Sequence, residues 1–227
     1  MEKQKSVVLL SGGMDSCVCL GIAIENSSEV AALHLNYGHR TEEKELNSFN
    51  EICNHYNIKK RLVVNVNHLS EIGGSSLTDE NMQVELADLD STEIPTSYVP
   101  FRNANILSIA TSWTEVLNFD SIYIGAVSED SAGYPDCRKE FYEAFEKAID
   151  LGTKPSTKIK IYTPIIDMSK KEIVEKGLEI NSPLNLTWSC YSSNSEACGV
   201  CDSCVRRLRG FEEAGSKDLI VYSTNGK

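Results

Sequence analysis

Val7-Val8-Leu9-Leu10-Ser11-Gly12-Gly13-Met14-Asp15-Ser16 is the stretch whose reading decides the fold. Four apolar residues closed by a turn suit a central strand of a parallel sheet, and residues 16–25 then carry Val18, Cys19, Ile22 and Ala23 at helical spacing. The turn between them therefore stands at a helix N-terminus. Unpaired amides point outward there and the helix dipole favours negative charge, so a phosphate group can be held by backbone N–H donors and by the Ser11 and Ser16 hydroxyls. Gly12 and Gly13 let the backbone come close to it. With two glycines and no lysine, the string fits neither GxxxxGK[ST] nor GxGxxG. Asp15 suits placement of a divalent cation, with a helix-capping carboxylate as the alternative.

Outward from this turn, apolar runs alternate with helix-period stretches, the pattern of repeated βαβ units. Strands are predicted over 6–10, 30–36, 61–66, 121–126 and 158–163. Helices are predicted over 42–56 (Leu46, Phe49, Ile52, Cys53 and Tyr56 on one face), 103–117 (Ile106, Leu107, Ala110, Trp113, Leu117), 139–151 and 169–180. The expected architecture is an α/β, three-layer, doubly wound, mostly parallel five-stranded sheet. Residues 67–100 interrupt the pattern with a polar stretch holding Gly73-Gly74, several acids and Pro95, which reads as a functional lid or a disordered excursion.

Composition bounds the function. The chain has 227 residues, 41% hydrophobic and 24% charged, enough for one α/β domain with an appendage. A net charge of −11 repels a phosphate-backbone partner, so no nucleic-acid partner is expected. Arg206, Arg207 and Arg209 form the one dense basic cluster and read as helix decoration or partners of nearby acids. No run approaches the roughly 20 apolar residues a membrane span needs, and MEKQKS lacks a hydrophobic signal core, so a soluble, cytoplasmic protein is expected.

Eight cysteines in such a chain point to metal or reactive thiols before disulfides. Cys17, Cys19 and Cys53 fall in helical patterns as small buried hydrophobes, and Cys137 stands apart. Cys190, Cys198, Cys201 and Cys204 follow Cx7CxxCxxC, a spacing that offers four thiolates to tetrahedral Zn2+; a CxxC redox pair is the weaker alternative. A closed four-sulfur site has no open position for substrate, so the zinc is read as structural. The expected division is an α/β domain over 1–185 and a zinc-binding segment over 186–227 packed on it.

In an open parallel sheet, ligands sit at the carboxyl ends of the strands. Three polar clusters map there: Tyr37-Gly38-His39-Arg40, Tyr98-Val99-Pro100-Phe101-Arg102-Asn103, and the run from Asp130 through Ser131, Gly133, Tyr134, Pro135, Asp136 and Cys137 to Arg138. Each alone also reads as an exposed polar turn. Together they bring arginines, carboxylates and aromatic rings to one rim, which suits a flat, carboxylated heterocycle.

SGGMDS resembles the pyrophosphate loop of the ATP pyrophosphatases, and with YGHRT, GGSSLTD, YVPFRN, GYPDCR, TPIIDMSKKE, TWSCY and CGVCDSC in this order the chain resembles the QueC family over nearly its whole length. The resemblance implies a PP-loop, Rossmann-like fold. It also implies a ligase that adenylates 7-carboxy-7-deazaguanine with ATP, lets ammonia displace AMP to form an amide, then activates the amide and eliminates to 7-cyano-7-deazaguanine. By the same resemblance Ser11, Gly12, Gly13, Met14, Asp15 and Ser16 take the phosphates with Mg2+, and Arg102 and Asn103 lie near ATP and substrate. Tyr98, Asp130, Ser131, Gly133, Tyr134, Pro135, Asp136 and Arg138 take the deazaguanine, and Lys170 steadies charge on the polyphosphate. Cys137 as a nucleophile is the alternative reading, but adenylation followed by ammonia attack needs no thiol.

The family commonly has glutamine where His39 stands and a small residue where Phe101 stands. The resemblance further implies a homodimer. Three rival readings stay open at this level: transfer of the activated carboxyl to another amine such as one on a protein, a tRNA-modifying ATP pyrophosphatase, and a non-enzymatic zinc-stapled nucleotide sensor.

Overall fold

A computed structural model of the chain describes residues 3–79, 81–88, 93–128 and 134–223. Its five strands are β1 (Gln4–Leu9), β2 (Ser27–Asn36), β3 (Lys60–Asn65), β4 (Ser121–Ile124) and β5 (Lys160–Tyr162). They form one parallel sheet in the order β3-β2-β1-β4-β5. The chain winds from β1 outward to β3, then returns to the other side of β1 for β4 and β5. The winding therefore reverses between β1 and β4, and the carboxyl ends of those two strands open the crevice where such sheets bind ligands.

The helices are α1 (Met14–Asn26), α2 (Glu42–His55), α3 (His68–Ile72), α4 (Arg102–Leu117), α5 (Lys139–Gly152), α6 (Lys170–Glu179) and α7 (Asp202–Glu213). Strand β1 is buried on both faces, as an apolar run without alternation requires. Val7 and Leu9 pack with Leu107 and Ala110 of α4 and Tyr142 and Ile149 of α5. Val8 and Leu10 pack with Leu20 of α1 and with Phe49 and Ile52 of α2. Cys17, Cys19 and Cys53 lie inside this second layer, where burial pushes the Cys17 thiol up to about 12 and Cys53 to about 11. They are packing residues, as their helical positions suggested.

The structure departs from expectation in two segments. Residues 67–100 hold the short helix α3, and their described parts are tied down. Ser75, Ser76 and Leu77 are buried, Ser76 N–H donates to the Thr96 carbonyl, and Ala87 N–H donates to Val200. The anchor is Arg40, which donates to the carbonyls of Ser76, Asp79 and Met82. Arg40 is therefore a strap for this segment, which corrects its reading as a ligand-facing arginine. The second is α7, which no predicted helix covered, although its arginines pair with nearby acids as expected: Arg206 with Asp202 and Arg209 with Glu213 one turn apart. Arg207 is 1% exposed and forks onto Asp218 (2.6 and 3.0 Å) while donating to Thr187, Ser189 and Leu184. The basic cluster is thus neutralised locally and serves packing.

Helix α7 crosses α6 closely. A Cβ on Gly210 would stand 2.9 Å from Lys170 Cβ, so the glycine sets the distance at which the C-terminal segment meets the body.

Candidate active site

The phosphate loop is built by backbone geometry. Gly12 has φ +95°, and a Cβ there would fall 2.4 Å from the Glu45 carbonyl, so no other residue fits. On the far side Gly125, just past β4, admits the start of α1: a Cβ there would stand 2.9 Å from the Asp15 carbonyl. Gly13 caps α1 without a side chain, leaving the first-turn amides for a ligand. Ser11 and Ser16 hydroxyls lie 3.0 Å apart and fix the loop through Gly13.

Asp15 sits in the first turn of α1 and faces Lys170 at the start of α6, with Oδ2 2.7 Å from Nζ. Its other oxygen, Oδ1, is buried and has no hydrogen-bond partner among the described residues. A buried carboxylate oxygen left open beside a phosphate loop is a hard donor suited to Mg2+. Lys170 begins α6, whose Ser169 and Glu172 form a reciprocal capping box, so its position is fixed by a complete helix N-terminus.

A cavity of about 260 Å3 runs from this loop to the start of α4. Ser11, Asp15, Ser16 and Lys170 line one end, and Tyr37, Arg102, Asn103, Tyr134, Cys137 and Tyr191 the other. Arg102 donates to the Tyr37 hydroxyl at 3.2 Å and lies over its ring. Burial works against the Arg102 charge, and the Tyr37, Tyr134 and Tyr191 phenols with the Cys137 thiol more than offset it. Its pKa is thus held above the ordinary range. Burial pushes the Tyr37 phenol up to about 12, so it stays neutral. The result is a cation aimed into a ring-lined pocket, the arrangement that binds a planar anion.

The other predicted residues divide. Asp136 is buried, and its carboxylate accepts from the Asn103 amide at 3.0 Å, while Asn103 Nδ2 donates to the Asp136 carbonyl at 2.9 Å. In this arrangement Asp136 caps α4 and steadies Arg102 beside it. Tyr98 stacks obliquely on Tyr134 at 5.3 Å behind the lining, and Ser97 bonds the Tyr134 hydroxyl. Pro135 and Arg138 are exposed and stand outside the cavity lining. Asp130, Ser131 and Gly133 lie outside the described residues. Phe101 takes the left-handed conformation (φ 57°) just before α4, which gives a physical reason for a small residue there.

Residues given no role in the site from the sequence also line the cavity: Glu45, Trp188, Ser189, Arg206 and Arg207. Glu45 had a readable signal. It precedes Phe49 and Ile52 at i, i+4 and i+7, a carboxylate on an otherwise apolar stripe. Trp188 arrives because its amide donates to the Gly12 carbonyl, pinning the C-terminal segment against the phosphate loop.

The four clustered cysteines bring their sulfurs within 4.8 Å of one another. Tetrahedral thiolates about one ion would stand about 3.8 Å apart, so the cluster fits a metal with little movement. Amides of Ser192 and Cys198 donate to the Cys190 sulfur and that of Cys201 to Cys198, which favours thiolate over thiol. Three of the four residues are buried, with Trp188, Ala197 and Tyr222 around them. The cluster is a candidate metal site, and none of its four cysteines lines the cavity.

Comparison with known proteins agrees with the geometry. The family model of queuosine biosynthesis protein QueC matches residues 5–215. The 7-cyano-7-deazaguanine synthase of Chlorobium chlorochromatii is 58% identical over 97% of this chain and 96% of its own, and that of Chlorobium limicola is 57% identical over 98% and 99%. A crystal structure of a 4-thiouridine synthetase–RNA complex with bound ATP superimposes with TM-score 0.51 at 18% identity, covering 96% of this chain and 47% of that one, a likeness of fold. On the match along its length and the identity to these relatives, the chain belongs to the QueC family.

Proposed function

We propose that the protein is an ATP-dependent ligase that converts 7-carboxy-7-deazaguanine and ammonia to 7-cyano-7-deazaguanine, with ATP cleaved to AMP and pyrophosphate. One observation carries this reading: a lysine-free phosphate loop and a half-buried arginine among aromatic rings line one cavity, in a chain of this family. The Ser11, Gly12, Gly13, Met14, Asp15 and Ser16 loop holds the phosphates, with Asn103 toward the nucleotide. Arg102 takes the carboxylate of the deazaguanine. Tyr134 stacks on its ring, and Tyr98, Asp130, Ser131, Gly133, Pro135, Asp136 and Arg138 complete or support that end. Asp15, through its open Oδ1, is the residue that would hold Mg2+, which supplies charge neutralisation on the polyphosphate.

A carboxylate resists nucleophilic attack because attack adds charge to an anion. Arg102 lowers that charge and fixes the carboxylate beside the α-phosphate, and Lys170 at the loop opposes charge growing on the departing pyrophosphate. The adenylated carbon then has AMP as leaving group. Ammonia displaces it to give the amide, and a second adenylation of the amide oxygen lets loss of AMP and a proton form the nitrile. The aromatic walls keep water from the adenylate.

Zn2+ is the proposed ion of the Cys190, Cys198, Cys201 and Cys204 site, because four thiolates and no open position suit it. Residues 186–227 are then a zinc-stapled segment packed on an α/β domain of residues 1–185. The protein is further read as a cytoplasmic homodimer on the family resemblance. Incubation with ATP, Mg2+, ammonium and 7-carboxy-7-deazaguanine, followed by mass spectrometry, tests the central reading. Nitrile with AMP is the expected result, and release of AMP with products that stop at the acid or an adduct overturns it.

A further inference from the structure

Glu45 enters the cavity wall between its two ends. Its backbone carbonyl lies against Gly12 of the phosphate loop, while its carboxylate is linked to the Arg102 cluster through His39 and then Tyr37. The His39 and Tyr37 rings stack at 4.1 Å, and Tyr37 accepts from Arg102. His39 Nε2 stands 3.2 Å from Glu45 Oε2, with side-chain exposures of 3% and 15%. Thr41 donates to Oε1 at 3.0 Å. Both oxygens already meet His39 and Thr41, and a two-oxygen acceptor with about four lone-pair sites keeps some free after these contacts.

We propose that Glu45 receives the ammonium ion and takes its proton, with His39 as the positioning residue behind it. The inference rests on the ligase reading above and names its proton acceptor. At neutral pH ammonia arrives mostly as ammonium, whose nitrogen has no lone pair to attack with. Glu45 holds the ammonium ion and takes one proton as the C–N bond forms, so transfer is driven by consumption of the lone pair. The freed lone pair forms the C–N bond as the C–O bond to AMP breaks, and AMP leaves with that bond pair. The surplus proton on nitrogen passes to the departing phosphate. Burial pushes Glu45 up, and His39, His34 and Thr41 more than offset it, so the carboxyl is held below its ordinary range and is anionic when ammonium arrives. His34 faces the same group from β2 with Nδ1 on the Leu10 carbonyl.

The test separates two nucleophiles. Hydroxylamine is neutral at pH 7 and needs no base before it attacks, so Glu45→Gln should cut ammonium-dependent amide formation by about 10²-fold while hydroxamate formation falls far less. His39→Phe, which keeps a ring against Tyr37 but removes the nitrogen facing Glu45, should raise the KM for ammonium and leave that for ATP near wild type. Thermal unfolding monitors folding of both, and His39→Phe carries the test if Glu45→Gln does not fold. Equal losses with ammonium and hydroxylamine in either variant overturn the inference, as does an unchanged ammonium dependence in both. Failure of the ligase reading is seen separately, as absence of AMP from the wild-type protein with either nucleophile.

Discussion

The cavity has two walls built in opposite ways. The N-terminal wall is backbone: Gly12, Gly13 and Gly125 bring chain segments within contact, and the donors are amides. The C-terminal wall is side chain: Arg206 and Arg207 on the lining, Asp218 sealing Arg207, and four thiols packed behind Trp188. A backbone wall carries no net charge, so it can wait unfilled for an anionic ligand. A side-chain wall of buried charges must be neutralised at all times, by a metal or by a partner. Substitutions should therefore injure the two walls differently, ligand binding on one side and folding on the other.

The largest expected effect breaks the C-terminal wall. Cys204→Ser removes one of four ligands, and structural zinc contributes on the order of 10 kcal/mol to small domains. Metal content by mass spectrometry should fall from one ion per chain to nearly none, with residues around Trp188 losing protection in hydrogen exchange. Retention of the ion and of full protection would show that the wall stands without its fourth thiolate.

Next comes the buried pair. Arg207 and Asp218 are 1% and 3% exposed, and removing one partner strands the other's charge. Asp218→Asn should cost about 3–5 kcal/mol in denaturant unfolding, since an amide leaves the guanidinium uncompensated. Burial raises the Asp218 carboxyl, but the Arg207 contacts outweigh it and hold its pKa below the ordinary 3.8. The sign follows: this stability is present above pH about 4, and it is lost as pH falls through the depressed value in the folded state. Wild type should lose this part of its stability only in strong acid, and Asp218→Asn should lack that slope.

On the backbone wall the effect on folding is smaller and the effect on ligand larger. Gly12→Ala places a methyl against the Glu45 carbonyl in a backbone conformation worth about 1–3 kcal/mol of strain. ATP binding by calorimetry should be lost well before cooperative unfolding is. If stability falls as far as in Asp218→Asn, the two walls are not different in kind.

How much of this was legible follows the same division. The phosphate loop could be read because a strand, two glycines and a helix are local, and each has a pattern of its own. All five strands and the larger helices through α6 followed from apolar periodicity, within a few residues. The cluster of four cysteines was readable because thiol spacing is a local signal of metal. Arg40 was misjudged as a rim residue because an arginine's partner is set by tertiary contact: it spends its donors on the carbonyls of Ser76, Asp79 and Met82. Arg206, Arg207 and Arg209 do pair with nearby acids as read, but the full burial of Arg207 left no local sign, because Asp218 lies beyond the helix. Glu45 was passed over because a single acid on an amphipathic helix rarely faces inward.

Asp136 tests whether the division holds at the deazaguanine end, for it is a side chain doing the work of backbone. Its carboxylate satisfies the Asn103 amide in the first turn of α4, one residue from Arg102. A lost cap costs about 0.5–2 kcal/mol, and the turn that loosens is the one that aims the guanidinium. Asp136→Ala should therefore weaken binding of 7-carboxy-7-deazaguanine several-fold while ATP affinity changes little, with a matching small loss of stability. Asp136→Asn keeps an oxygen for the Asn103 amide and should recover most of both. If Asn fails as fully as Ala for the heterocycle while stability is untouched, the carboxylate meets the ligand itself and its charge is part of recognition. If ATP and the heterocycle lose affinity equally in Ala, the cap supports the whole cavity, and the N-terminal wall depends on a side chain after all.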